Sequence, residues 1–182
     1  MSDCSLFIKM TDKQEKILNA ALELFSNEGY NATSTSKIGK KAGVSEGLIF
    51  RHFTNKQGLL EAIIKDAELR IAEVIMPIIA DTNPTLVLKK TIELPFSVKE
   101  SEYDFWRLQF KLKWEVAYNN PQKMQPLINK LAWAFEELHY ENPALEAVLL
   151  NQIVESISSE ILKGNLQQQE AYKSFLLLKY KL

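Results

Sequence analysis

The sequence is poor in the residues that usually announce chemistry. Cys4 is the one cysteine in 182 residues. No disulfide framework can therefore form within the chain, and nothing points to an oxidising compartment. The two histidines, His52 and His139, lie far apart, and neither has a cysteine or carboxylate at metal-ligand spacing. A glycine-rich phosphate loop, a nucleophile elbow and a paired-carboxylate motif are all missing. These absences argue against an enzyme, a bound metal and a cofactor. Long apolar runs are lacking too. Leu6–Ile8 is too short for a signal-peptide core. The uncharged run Val74–Ala80 contains Pro77 and falls far below the ~20 residues of a membrane span. A soluble, cytoplasmic protein without a membrane partner is expected.

Charge of one sign is also lacking, since the net charge is −1. Its distribution is more informative. Residues 33–56 hold five basic side chains (Lys37, Lys40, Lys41, Arg51, Lys56) against one acid, Glu46. A basic patch on a near-neutral chain fits a small phosphate-contacting face, though fluctuations of this size also arise by chance.

What is present is helical periodicity. Ile17, Ala20, Ala21, Leu24 and Phe25 form one apolar face of a helix over Asp12–Gly29. Thr11 or Asp12 caps its start, with Gln14 or Glu15 in capping-box position, and Gly29 ends it. Two short helices follow, about Ser36–Ala42 and Glu46–Phe53, separated by Gly43, with Ser45 as N-cap of the second. Asn55 caps a long helix from Lys56 to about Ala80, which Pro77 should kink or stop. Asn83-Pro84, Leu94-Pro95, Asn120-Pro121 and Asn142-Pro143 then punctuate helices near 85–99, 101–119, 121–140, 143–163 and 165–181. No strand pattern of useful length interrupts them. The fold class is all-α with about nine helices: a three-helix head over 1–56 and a larger bundle over 57–182.

Two short helices joined by a glycine-containing turn make the outline of a helix-turn-helix. In that arrangement the second helix reads base edges with its N-terminal residues, while the first crosses the phosphate backbone. Ser34, Thr35 and Ser36 stand at the start of the first helix. Ser45, Glu46, Gly47, Leu48, Phe50 and His52 stand on or beside the second, and Lys56 opens the helix after it. Ile38, Val44, Ile49 and Phe53 remain as apolar pins. Plain structural readings compete: Phe50 as core, His52 as a histidine packed on the turn, Lys40 and Lys41 as a solvated face. Lys56 is disfavoured at a helix N-terminus by the macrodipole, which points to a phosphate contact.

The stretch "KIGKKAGVSEGLIFRHFTNKQGLLEAI" resembles the DNA-binding segment of the tetracycline-repressor (TetR) family of bacterial transcription regulators. Ile38, Ala42, Gly43, Val44, Ser45, Gly47, Ile49, Phe53, Asn55, Lys56 and Leu59 carry the likeness. Phe25, Gly29, Tyr30, Thr33 and Ser34 extend it upstream, so that it covers residues 11–64. There are departures. Gly39 stands in place of the usual alanine and should loosen the first helix by roughly 1 kcal/mol. Glu46 occupies a position often Lys, Arg or Gln; it would repel phosphate, accept from cytosine N4, or favour the helix N-terminus. Leu48 stands for Thr or Ala, and Phe50 lacks the hydroxyl of the usual tyrosine.

The resemblance implies a C-terminal bundle that binds an inducer and forms a homodimer. Tyr103, Trp106, Phe110 and Trp114 lie at spacings of three and four, and Phe96 precedes them. Such a stripe either fills a bundle core or lines an apolar cavity, with Arg107 and Trp133 as further candidates. Leu145, Val148, Leu149, Ile153, Ile157 and Ile161 form another stripe, and Tyr172, Phe175 and Leu176 a third. Together these suit a four-helix contact across a two-fold axis, expected at Leu149, Ile153, Ile157, Tyr172, Phe175 and Leu176. The resulting expectation is a ligand-responsive repressor that binds a palindromic DNA operator as a homodimer and is released by a small apolar or aromatic inducer. The alternatives are a DNA-binding dimer controlled by protein contact, or lacking a pocket, and a metabolite-binding bundle that no longer binds DNA.

Overall fold

The computed structural model describes residues 11–113 and 121–182. Cys4 and Trp114 lie outside them. The chain divides into two compact units, one running to Ala67 and the other from Glu68 to Leu182. The first unit extends beyond the expected boundary at Lys56 because Leu59, Leu60, Ile63 and Ala67 are buried.

In the first unit, α1 (Asp12–Glu28) starts on the capping box: Gln14 N–H donates to Thr11 Oγ1, and Thr11 N–H donates to Gln14 Oε1 at 2.8 Å. Two orphan amides are thereby satisfied, a device contributing about 1 kcal/mol. The predicted face is buried: Ile17, Ala20, Ala21, Leu24 and Phe25 are all in the core. Thr33 is buried in the link that follows, where its hydroxyl donates to Gly29 O at 2.9 Å. Helix α2 (Thr35–Ala42) packs on α1, and α3 (Glu46–Phe53) packs on α2. Helix α4 (Lys56–Ile79) begins where Asn55 Oδ1 accepts from Gly58 N–H at 2.8 Å. Pro77 lies inside α4, and the helix ends two residues after it, at Ile79.

The second unit contains α5 (Pro84–Glu93), α6 (Tyr103–Lys113), α7 (Gln125–Glu137), α8 (Pro143–Lys163) and α9 (Gln169–Lys179). Proline opens α5, α7 and α8, where its missing N–H costs no helical bond. Short 3-10 turns at Leu94–Ser97, Glu100–Glu102 and Pro121–Met124 separate some of them. The expected helix over 85–99 therefore ends at Glu93, and the last one starts at Gln169 instead of 165. Among the described residues there are nine α-helices and no strand. Helix α7 packs on α8 and α5. Their core includes Leu88, Ile92, Leu131, Phe135 and Leu150, each wholly buried and each contributing on the order of 2 kcal/mol.

Two residues expected on a dimer surface are instead core. Ile157 is 8% exposed and Leu176 is 4% exposed, both within the cluster centred on α7 and α8. The reason is register. The apolar positions of α8 belong to two faces: Ala147, Leu150, Val154, Ile157 and Ile161 point inward, while Leu145, Val148 and Leu149 point to solvent. Ile153 is half-buried at their border, and Tyr172 and Phe175 are exposed on α9.

Candidate nucleic-acid interface

Helix α2 is closed at both ends by local chemistry. Ser34 Oγ accepts from Lys37 N–H at 3.1 Å, and Gly43 takes the left-handed conformation (φ 67°, ψ 34°) that ends the helix. Val44 N–H then donates to Gly39 O at 2.9 Å, folding the turn back on α2. Gly39 is buried, and a Cβ there would lie 3.0 Å from Val44 O. The residue expected only to loosen α2 thus also provides the close approach of the turn.

Ser45 occupies the N-cap position of α3 but makes no side-chain cap bond. The turn is closed by its backbone instead, with Leu48 N–H donating to Ser45 O at 3.0 Å. Ile38 and Ile49 are fully buried and pin the two helices; Val44 and Phe53 are only half-buried. What α3 leaves outside is Glu46, Gly47, Arg51 and Phe50, the last 45% exposed, with Leu48 at the margin. Phe50 is thus surface, not core. His52 is half-buried and packs edge-on against Phe53, centroids 6.2 Å apart. An α-helix is about 10–12 Å across with its side chains, which suits the ~12 Å width of the DNA major groove.

The hydroxyls differ in what they have left to offer. Ser34 and Ser36 are exposed, whereas Thr35 Oγ1 donates to Glu46 Oε1 at 2.5 Å. That bond joins the first residue of α2 to the first residue of α3.

The basic patch is largely spent inside the unit. Lys37 pairs with Glu28 at 2.5 Å and Lys41 with Glu23 at 2.6 Å, both acids coming from α1. Lys56 Nζ donates to the carbonyls of Tyr30 and Thr33 at 2.9 and 3.0 Å. It also stands 4.3 Å from the centre of the Tyr30 ring. Lys40 and Arg51 are exposed and have no ion pair among the described residues. Counting charge along the chain places Arg51 in the basic patch but does not show which of its cations α1 neutralises.

The candidate ligand residues lie in the second unit. Phe96, Tyr103, Trp106 and Phe110 are half-buried. The wholly inward stripe of α6 is Phe105, Leu108 and Leu112, offset from the aromatic one. Trp106 stacks edge-on with Phe105 at 5.0 Å, and Arg107 lies 5.7 Å from the Tyr103 ring while its Nε donates to Leu162 O at 2.8 Å. Trp133 carries Lys130 over its ring at 3.6 Å. Two surface clefts of this unit, of about 420 and 240 Å³, are lined by other residues. Gln109 Nε2 is buried without an acceptor among the described residues.

Residues 17–63, which contain α2, the turn and α3, match the profile of the family described as bacterial regulatory proteins, tetR family. YvkB of Bacillus subtilis, an HTH-type transcriptional regulator, is 51% identical over 55 residues, 30% of this chain and 29% of YvkB. UidR of Escherichia coli is 41% identical, again over only 33% of its length. The chain thus spans about a third of these relatives. YvdT of B. subtilis, also an HTH-type regulator, is 29% identical over 88% of this chain and 89% of its own. A TetR-like transcriptional regulator from Rhodococcus sp. RHA1 shares the fold with a TM-score of 0.77 at 22% identity, covering 90% of this chain and 91% of that one. Residues 17–63 thus match the tetR family of bacterial regulatory proteins, and the chain as a whole shares the fold of a TetR-like regulator.

Proposed function

We propose that this chain is a ligand-responsive DNA-binding regulator, a repressor that holds a palindromic operator as a homodimer. One observation carries the reading. Helix α3 is pinned by Ile49 yet leaves Glu46, Gly47, Phe50 and Arg51 exposed, beside a capped α2 whose Ser34 and Ser36 face solvent. A short helix pinned on one side and bare on the other is suited to a groove. Ser34, Ser36, Lys40 and Arg51 contact phosphate; the first turn of α3 contacts bases.

The homodimer uses the apolar side chains that α8 and α9 leave in solvent, Leu145, Val148, Leu149, Tyr172, Phe175 and Leu178. A two-fold axis then sets two copies of α3 about 34 Å apart, one helical turn of DNA. The inducer is an apolar or aromatic molecule bound among Phe96, Tyr103, Trp106 and Phe110. It acts by favouring one of two packings of the bundle. A second reading, a DNA-binding dimer without a pocket, is favoured by the two clefts being lined by other residues.

The test is fluorescence anisotropy with duplexes tiled across the region upstream of the gene, over a salt series. Tight binding to particular tiles with a steep salt slope supports the reading. Equal, weak binding to every tile and to selected random duplexes overturns it.

A further inference from the structure

The first turn of α3 presents an acid where a DNA-facing surface would ordinarily carry a base. Glu46 is exposed, yet it is not left to swing. Thr35 Oγ1 donates to its Oε1 at 2.5 Å, across the turn from α2. Its other carboxylate oxygen has no partner among the described residues and is left to solvent. Anchoring one oxygen removes much of the rotamer freedom that a contact would otherwise have to restrict.

Gly47 beside it adds an independent observation. Nothing lies within 4 Å of the point where a Cβ would stand. The protein's own packing therefore does not require glycine there, although glycine in a helix costs about 1 kcal/mol relative to alanine. Without a side chain there, the backbone of this turn is open to close approach by a partner.

In the major groove, guanine offers only acceptors and thymine an acceptor and a methyl group. Both repel or ignore a carboxylate. Adenine pairs its N6 donor with the N7 acceptor, which suits an amide better than an acid. Cytosine N4 is a donor without a neighbouring acceptor on the same base. Resting on the DNA-binding reading above, we propose that Glu46, held by Thr35, is the specificity-determining residue of this regulator and requires a cytosine at one position in each operator half-site. Thr35, with its proton committed to Glu46, is a positioning residue and not a phosphate donor.

The test is selection of duplexes from a randomised pool by the full-length protein, followed by affinity measurements on single-base variants. The wild type should discriminate against the other three bases at the cytosine position by about 10- to 100-fold. Glu46→Gln, whose amide can still accept from Thr35, should shift that one position toward adenine. Glu46→Ala should flatten it, and Thr35→Val should weaken the cytosine preference without changing its identity. Wild-type melting temperatures for the Glu46 variants exclude misfolding. If selected operators keep the same preferences in Glu46→Ala and Glu46→Gln, the inference is wrong while DNA binding stands. If no duplex is enriched by the wild type, the functional reading falls and this inference with it.

Discussion

The ammonium of Lys56 sits 4.3 Å from the centre of the Tyr30 ring and donates to the Tyr30 and Thr33 carbonyls. A lysine at the first position of α4 is unfavourable for the helix itself. Here it ties that position to the link between α1 and α2, and Tyr30 returns the contact by donating its hydroxyl to Gln57 Oε1 at 3.1 Å. Lys56→Gln should therefore cost about 1–2 kcal/mol in denaturant unfolding, because two carbonyls lose a charged donor. The salt slope of operator binding should stay unchanged. A slope lowered by about 1 would instead mark Lys56 as a phosphate contact.

Arg51 and Lys40 should behave in the opposite way. Neither has an ion pair among the described residues, so Arg51→Gln and Lys40→Gln should leave stability within about 0.5 kcal/mol. Each should weaken binding to all sequences alike and lower the salt slope by about 1. Lys37→Gln and Lys41→Gln, already paired with Glu28 and Glu23, should leave the slope unchanged.

Gly47→Ala separates folding from function. With open space around the new methyl group, α3 should gain roughly 0.5–1 kcal/mol of stability. Operator affinity should nevertheless fall several-fold. Tighter binding by this variant would show that the first turn of α3 does not approach DNA closely.

Glycine at 58 has the contrary cause. A Cβ there would stand 2.2 Å from the carbonyl oxygen of Phe53, so Gly58→Ala should destabilise by more than about 2 kcal/mol. The same junction holds Thr54 at φ 67°, ψ −48°, a strained position for a β-branched residue, with Asn55 N–H donating to Phe53 O at 2.7 Å. Thr54→Gly should raise the urea midpoint, by about 1 kcal/mol in stability.

Tyr180 reports the C-terminal core. Burial is the main cause that pushes its hydroxyl up to about 12, with the Glu146 carboxylate adding to it. The folded state thus holds this proton after the unfolded chain, near 10, has released it. Its contribution to stability is complete below pH 10 and is lost as the pH rises toward 12. In an alkaline titration Tyr180 should ionise last of the six tyrosines, after Tyr140, which burial also raises, and Tyr180→Phe should remove that last step.

Much of this molecule can be read from local patterns. The capping box at Thr11, the apolar face of α1, the left-handed Gly43 and the prolines opening α5, α7 and α8 each depend on residues a few positions apart. Patterns that depend on which side of a helix meets a neighbour were less readable. The apolar positions of α8 looked like one stripe but serve two faces, and the aromatic stripe of α6 flanks the one that is wholly buried.

By itself the sequence determined the all-helical class, the helix-turn-helix and its place in the chain, because these follow from periodicity, caps and turn residues within single segments. Only the tertiary structure decided which charges remain available. Glu23 and Glu28 are distant in sequence from Lys41 and Lys37 yet neutralise them, the carbonyls of the α1–α2 link take Lys56, and Thr35 holds Glu46 across a turn. A side chain's chemistry belongs to its residue type, but what it can still offer a partner depends on what the fold has already set against it.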